Sequence, residues 1–266
     1  SSTGIGMSSS MSSDVVVQTK HLGKAYQLYQ NRSDWLKQVM LGWYKTYFKP
    51  FWVLRDIDLE VRRGESIGLL GRNGCGKSTL LQVICGMTLP SHGELIVNGR
   101  IAPVLALGST FDMELSGREN VMIGGAVLGL KRGEIIRKFD SIAEFAGIGD
   151  YMEQPVKHYS MGMRTRLAFS ICAHVEADIL VVDEALAVGD VAFQRKCLDW
   201  IDRFRREGTL LFVSHSVAEV RRLCTRAIWI EDGRIRQQGE PNEVIRSYQR
   251  ALEVEKDDIH RFSASE

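Results

Sequence analysis

The stretch Ser66-Ile67-Gly68-Leu69-Leu70-Gly71-Arg72-Asn73-Gly74-Cys75-Gly76-Lys77-Ser78-Thr79-Leu80-Leu81 decides the reading of this chain of 266 residues. A short apolar strand, Ser66 to Leu70, runs into Gly71 to Thr79, which fits G-x-x-x-x-G-K-[ST], and a helix follows over Lys77 to Cys85. Glycines let successive backbone N–H groups converge on the α/β-phosphates of a nucleotide, and a helix N-terminus adds partial positive charge. Lys77 reaches the β/γ oxygens and Ser78 supplies a hydroxyl for Mg²⁺. The nucleotide-binding set is therefore Gly71, Arg72, Asn73, Gly74, Cys75, Gly76, Lys77, Ser78 and Thr79. A purely structural glycine turn would need no Lys-Ser at its end.

Downstream, Ile179 to Val182 is a second apolar strand and ends in Asp183-Glu184. Ligands gather at the carboxyl ends of parallel strands. Asp183 suits the Mg²⁺ shell, and Glu184 suits the base that polarises a water in line with the γ-phosphate. A third strand, Thr209 to Val213, leads to His215, placed for a γ-phosphate contact. Helices read over Ser160 to Asp178 and Ala192 to Arg206 alternate with these strands, which predicts a mainly parallel sheet covered on both faces, an α/β fold. Strands at Val15 to Thr19 and Val53 to Val61 predict an antiparallel β subdomain. Residues 94–107 read as two strands around the turn signal Asn98-Gly99. Gly117 to Tyr159 reads as a helical lobe broken at Gly124-Gly125, Gly147-Ile148-Gly149 and Pro155. Ala227 to Gln237 reads as a hairpin turning at Asp232-Gly233, and Asn242 to Lys256 as a terminal helix.

Charge adds little direction. Lys and Arg number 34 against 33 Asp and Glu, a net of +1, so no basic field recommends nucleic acid as a partner. Five cysteines without a Cys-x-x-Cys pair suit free thiols in a reducing compartment, the cytoplasm. No window carries the apolar length of a spanning helix. Residues 1–13, Ser-rich and polar, read as a tag-like disordered start outside the fold.

Between the two catalytic strands lies Tyr159-Ser160-Met161-Gly162-Met163-Arg164-Thr165-Arg166-Leu167-Ala168, which resembles the signature motif of ABC-transporter ATPases. With the phosphate loop and Asp183-Glu184 in that order, the resemblance covers nearly all of 14–245 and implies the P-loop NTPase ABC ATPase fold, with ATP and Mg²⁺ as cofactors. It implies a head-to-tail dimer, in which Ser160, Met161, Gly162 and Met163 of one copy meet the γ-phosphate held by the other's phosphate loop. It also implies that Asp190 communicates between the two sites and that Tyr26 stacks on adenine, with Phe51 and Trp52 as alternatives. The usual signature carries a second glycine and a glutamine where Met161 and Met163 stand, and Ile101 to Glu119 contains no glutamine near the Mg²⁺ position. Both departures are similar to the polysaccharide-exporting subgroup called Wzt-like, as are Leu107-Gly108-x-x-Phe111 and Gly117-Arg118-Glu119-Asn120-Val121.

Residues 27–52 read as an insertion. The segment 26–52 holds nine of the chain's 22 aromatics, with Arg32, Lys37, Lys45 and Lys49 against the single acid Asp34. Leu36, Val39, Met40, Trp43 and Tyr47 fall on one helical face, capped by Ser33. Such a helix suits a membrane interface or a partner's cytoplasmic face, and packing on its own domain is the alternative. In the exporters, an insertion here resembles a gating helix. The resemblance implies an ATP-hydrolysing homodimer at the cytoplasmic face of the inner membrane, peripheral to an integral permease that moves lipid-linked polysaccharide. The alternatives are the ATPase of another ABC transporter or a soluble ABC ATPase. Residues 246–266 read as a C-terminal helix and tail.

Overall fold

The computed structural model describes residues 14–28, 49–104, 111–183, 190–214 and 216–263, with side chains as far as Val254. The insertion helix read over Leu36 to Tyr47 lies outside the described residues, as do Glu184 and His215.

Two sheets form. The first is antiparallel, with β1 (Val15–Leu28) between β2 (Lys49–Arg62) and β4 (His92–Val97). Its inner strand is longer than read, because β1 and β2 stay paired out to Leu28 and Lys49. The second runs β5 (Ile101–Pro103), β6 (Ile179–Val182), β7 (Thr209–Val213), β3 (Ser66–Leu70), β8 (Arg226–Glu231), β9 (Arg234–Gly239). All its neighbours are parallel except the β8–β9 hairpin. This is the mixed α/β architecture expected. The Asn98-Gly99 turn, however, joins no hairpin: β4 pairs with β1 and β5 with β6, so the chain crosses there from one sheet to the other.

Strand alternation divides the interior in two. Leu180 and Val182, Leu210 and Phe212, Ala227 and Trp229 face one core. Ile179 and Val181, Leu211 and Val213, Ile228 and Ile230 face the other. Side chains on successive strand residues point to opposite faces, so a sheet buried on both sides needs apolar residues throughout. The second core is closed by α1 (Lys77–Ile84) and by Val17, Leu22, Leu54, Ile57 and Val61 of the antiparallel sheet. The first is closed by α4 (Met161–Ala173), α5 (Val191–Phe204), α6 (Val217–Leu223), α7 (Pro241–Ser263) and the helical lobe of α2 (Gly117–Val127) and α3 (Arg132–Ala146).

Gly124-Gly125 does not break α2. Gly125 is buried where a Cβ would lie 2.9 Å from Ile135 Cδ1, so α2 and α3 approach through it and tertiary packing outweighs the weak helix propensity. The lobe's loops are fixed by Asn120, 1% exposed, whose amide donates to the carbonyls of Asp112, Leu115 and Ser116 and accepts from the Asp112 N–H. Burial pushes the thiols of Cys85, Cys197 and Cys224 up to about 12, so they stay protonated. Among the described residues, no helix is long and apolar enough to cross a membrane.

Phe169 is the aromatic hinge of the first core, stacked 5.9 Å from Phe145 and edge-on to Phe193 and Trp200. Phe169→Ala is expected to cost about 3–5 kcal/mol through lost burial plus a residual cavity. It should appear as a lower denaturation midpoint at unchanged slope; a cost below about 1 kcal/mol would contradict this packing.

Candidate nucleotide site

The phosphate loop leaves the C-terminal end of β3, the sheet's central parallel strand. Gly71 has φ +149, and a Cβ there would lie 2.3 Å from Ile230 O, so the loop closes against β8 only with glycine. Lys77 is 6% exposed, and its ammonium donates to Gly71 O at 2.8 Å and Arg72 O at 2.9 Å. The charge is thus held inside the loop by two carbonyls, where it can meet an anion seated on the amides.

The start of α1 differs from that of its neighbours. Ser116, Ser160, Asp190 and Ser216 cap α2, α4, α5 and α6 with their own side chains, each accepting a backbone N–H. Helix α1 has Gly76 at its N-cap, no side-chain cap and no acid in its first turn. First-turn N–H groups lack intrahelical partners, so this terminus offers donors and a positive dipole end to a ligand. An uncapped helix, a buried ammonium and the exposed hydroxyl of Ser78 fit a nucleotide triphosphate with its divalent cation.

Two clefts flank the loop. One, of about 410 Å³, is lined by Phe51, Val53, Asn73, Gly74, Gly76, Lys77, Ser78 and Thr79. The other, about 610 Å³, lies between Phe51, Arg72, Cys75 and the β8–β9 turn. Phe51 borders both and is 55% exposed. Tyr26 pairs with Phe51 across β1 and β2 but lines neither cleft, its ring instead lying 5.2 Å from the Lys24 ammonium. Trp52 borders the larger cleft and packs its ring against His92.

Asp183, 6% exposed, follows β6 at the same sheet edge, because β6, β7 and β3 run parallel with Val182 beside Phe212 and Val213 beside Leu69. The edge therefore brings Asp183 and the phosphate loop to one side of the molecule. Glu184 and His215 follow β6 and β7 in sequence and lie outside the described residues. The signature residues stand apart. Ser160 caps α4 by accepting the Met163 N–H at 3.2 Å, Ser160 and Met161 are exposed, and none of residues 160–163 lines either cleft. Asp190 caps α5 through Oδ1, accepting the Phe193 N–H at 2.8 Å, and pairs with Arg166 through Oδ2. The Phe193 N–H, with Arg166 contributing less, holds the Asp190 carboxyl below its usual range.

Arg166 and Asn120 were not singled out by residue type. Their partners lie 24 and up to 8 residues away, and only the fold brings them together.

The same combination recurs in known proteins. Residues 54–187 match the family model described as ABC transporter, and the chain belongs to that family, whose ATP-binding, ATP-hydrolysing subunit it is. It is 44% identical over 255 residues to the ABC transporter protein AbcA of Aeromonas salmonicida, covering 94% of this chain and 81% of the relative. It is 43% identical to the teichoic acids export ATP-binding protein TagH of Listeria monocytogenes, covering 90% and 71%. With the O-antigen export system ATP-binding protein RfbB of Klebsiella pneumoniae it shares 38% identity, covering 89% and 98%. Among solved structures, a dimeric ATP-binding cassette in a post-hydrolysis state bound to ADP and Pi superimposes with TM-score 0.69 at 17% identity, covering 85% of this chain and 98% of that one.

Lys77→Ala removes a buried cation from the loop. A hydrogen bond to a charged group is worth about 1.5–3 kcal/mol, so ATP affinity measured by calorimetry should fall roughly tenfold or more. Unchanged affinity would contradict the placement of the phosphates.

Proposed function

We propose that this chain is the motor of an exporter for lipid-linked polysaccharide, working as a homodimer on the cytoplasmic face of the membrane against a separate permease. The observation carrying this reading is the likeness, over 90% and 89% of this chain, to ATP-binding proteins named for teichoic acid and O-antigen export. Under this reading the part of the insertion between β1 and β2, residues 29–48, basic and aromatic in sequence, is what meets the membrane or the permease.

The chemistry follows from the sheet edge. The amides at the start of α1 and the Lys77 ammonium hold the phosphates, and Ser78 and Asp183 would hold Mg²⁺, which would supply positive charge against that developing on the phosphoryl oxygens. Glu184 orients and deprotonates the attacking water, and His215 contacts the γ-phosphate. Phe51, with Tyr26 beside it, supplies the aromatic wall for adenine. The start of α4, Ser160 to Met163, completes the site of the opposite copy, placing a helix N-terminus against the γ-phosphate. Asp190 links one site to the other.

Glu184→Gln tests the assignment because it removes the base and leaves the phosphate cradle intact. Turnover should fall by about 10²-fold or more while ATP binding persists. Sedimentation with ATP and Mg²⁺ should then show a dimer. Hydrolysis at the wild-type rate would sink the role given to Glu184.

A further inference from the structure

Outside both clefts, the antiparallel sheet gathers three ligating side chains that line neither of them. His21 of β1 sets its ring Nδ1 2.6 Å from Asp56 Oδ1 and 3.6 Å from Asp58 Oδ2, both carboxylates standing on β2. One ligand atom from each of the three lies within 4.8 Å of the other two.

Strand register builds the cluster. The β1–β2 ladder shifts between Thr19 and Leu22 and again between Leu22 and Lys24, and His21 and Asp56 fall within those shifts. Both take left-handed backbone, at φ +47 and +57. Irregularities of this kind re-aim side chains. Each carboxylate is also oriented from behind. Asp58 Oδ1 accepts the His21 N–H at 2.7 Å, and Asp56 Oδ2 lies 3.8 Å from Arg234 Nη1, which leaves Asp58 Oδ2 and Asp56 Oδ1 toward the imidazole.

A single ring N–H serves one carboxylate, yet two converge on Nδ1. A divalent cation at that point would engage all three side chains. One imidazole nitrogen with two carboxylate oxygens is a ligand set for Zn²⁺ and its first-row neighbours, and three protein ligands leave a position for water. The His21 side chain is 76% exposed, so an ion reaches it directly and the side chains can adjust to ligand distances of about 2.0–2.2 Å. As ion pairs alone, contacts this exposed would contribute little to stability.

We propose that His21, Asp56 and Asp58 bind one divalent cation of the Zn²⁺ class, which clips β1 to β2. The site needs no nucleotide and is independent of the motor reading above.

Calorimetry with zinc chloride on the full chain, free of ATP and of any affinity tag, decides it. The wild type should bind Zn²⁺ saturably, and its Tm should rise in excess Zn²⁺. His21→Asn and Asp56→Asn install a residue type that accepts left-handed backbone, so the fold is kept while a ligand is lost. Each should lower the affinity at least about tenfold and abolish the rise in Tm, with the metal-free Tm unchanged. Asp58→Asn should do the same, and it carries the test alone if the other two variants do not fold. Zn²⁺ affinity equal to the wild type in the folded variants would place the ion elsewhere and overturn the site. So would a wild type that shows no saturable binding up to millimolar Zn²⁺.

Discussion

The rest of the site depends on one buried cation. Lys77 is nearly inaccessible, and its ammonium is held by carbonyls of the loop it follows. A cation is tolerated there only because those carbonyls solvate it, and the arrangement suits an arriving anion better than water. It places the charge where the uncapped start of α1 also points its donors. The loop can hold this shape because β3 is the sheet's interior strand, flanked by β7 and β8 and buried along its length. The site's precision is thus borrowed from the core.

Around that point, the fold sets the phosphate loop apart from the start of α4. The parallel edge brings together the phosphate loop and Asp183, whereas Ser160 and Met161 stand exposed at the start of α4 and line neither cleft beside the loop. On the proposed reading, the capped helix start carrying Ser160, Met161 and Gly162 meets no nucleotide of its own chain. A second copy supplying one is the simplest use of that surface.

Much of this was legible in the sequence for a physical reason. Strands buried on both faces must be apolar throughout, so Ser66 to Leu70, Ile179 to Val182 and Thr209 to Val213 read correctly, and the loop between strand and helix carries its chemistry in its own residues. What escaped was set by contacts distant in sequence. The Asn98-Gly99 signal does mark a break between strands, but which sheet each flank joins is decided by β1 and β6. Gly124-Gly125 is a poor helix former whose smallness is needed against Ile135. Of the aromatics that the sequence offers for adenine, strand register presents Phe51, the cross-strand partner of Tyr26, to the cleft beside the loop. The Arg166–Asp190 pair spans two helices, and no local periodicity announces it.

The central claim is that each site is finished by a second copy, and Gly162→Asp tests it most directly. An acid in the first turn of α4 favours the helix through its dipole, so the fold is kept, yet it sets a negative charge against a partner's γ-phosphate. The account predicts that this variant binds ATP as tightly as the wild type as an isolated chain, but forms no ATP-dependent dimer in sedimentation and does not turn over. Loss of ATP affinity in the isolated chain, or turnover at the wild-type rate, would contradict it.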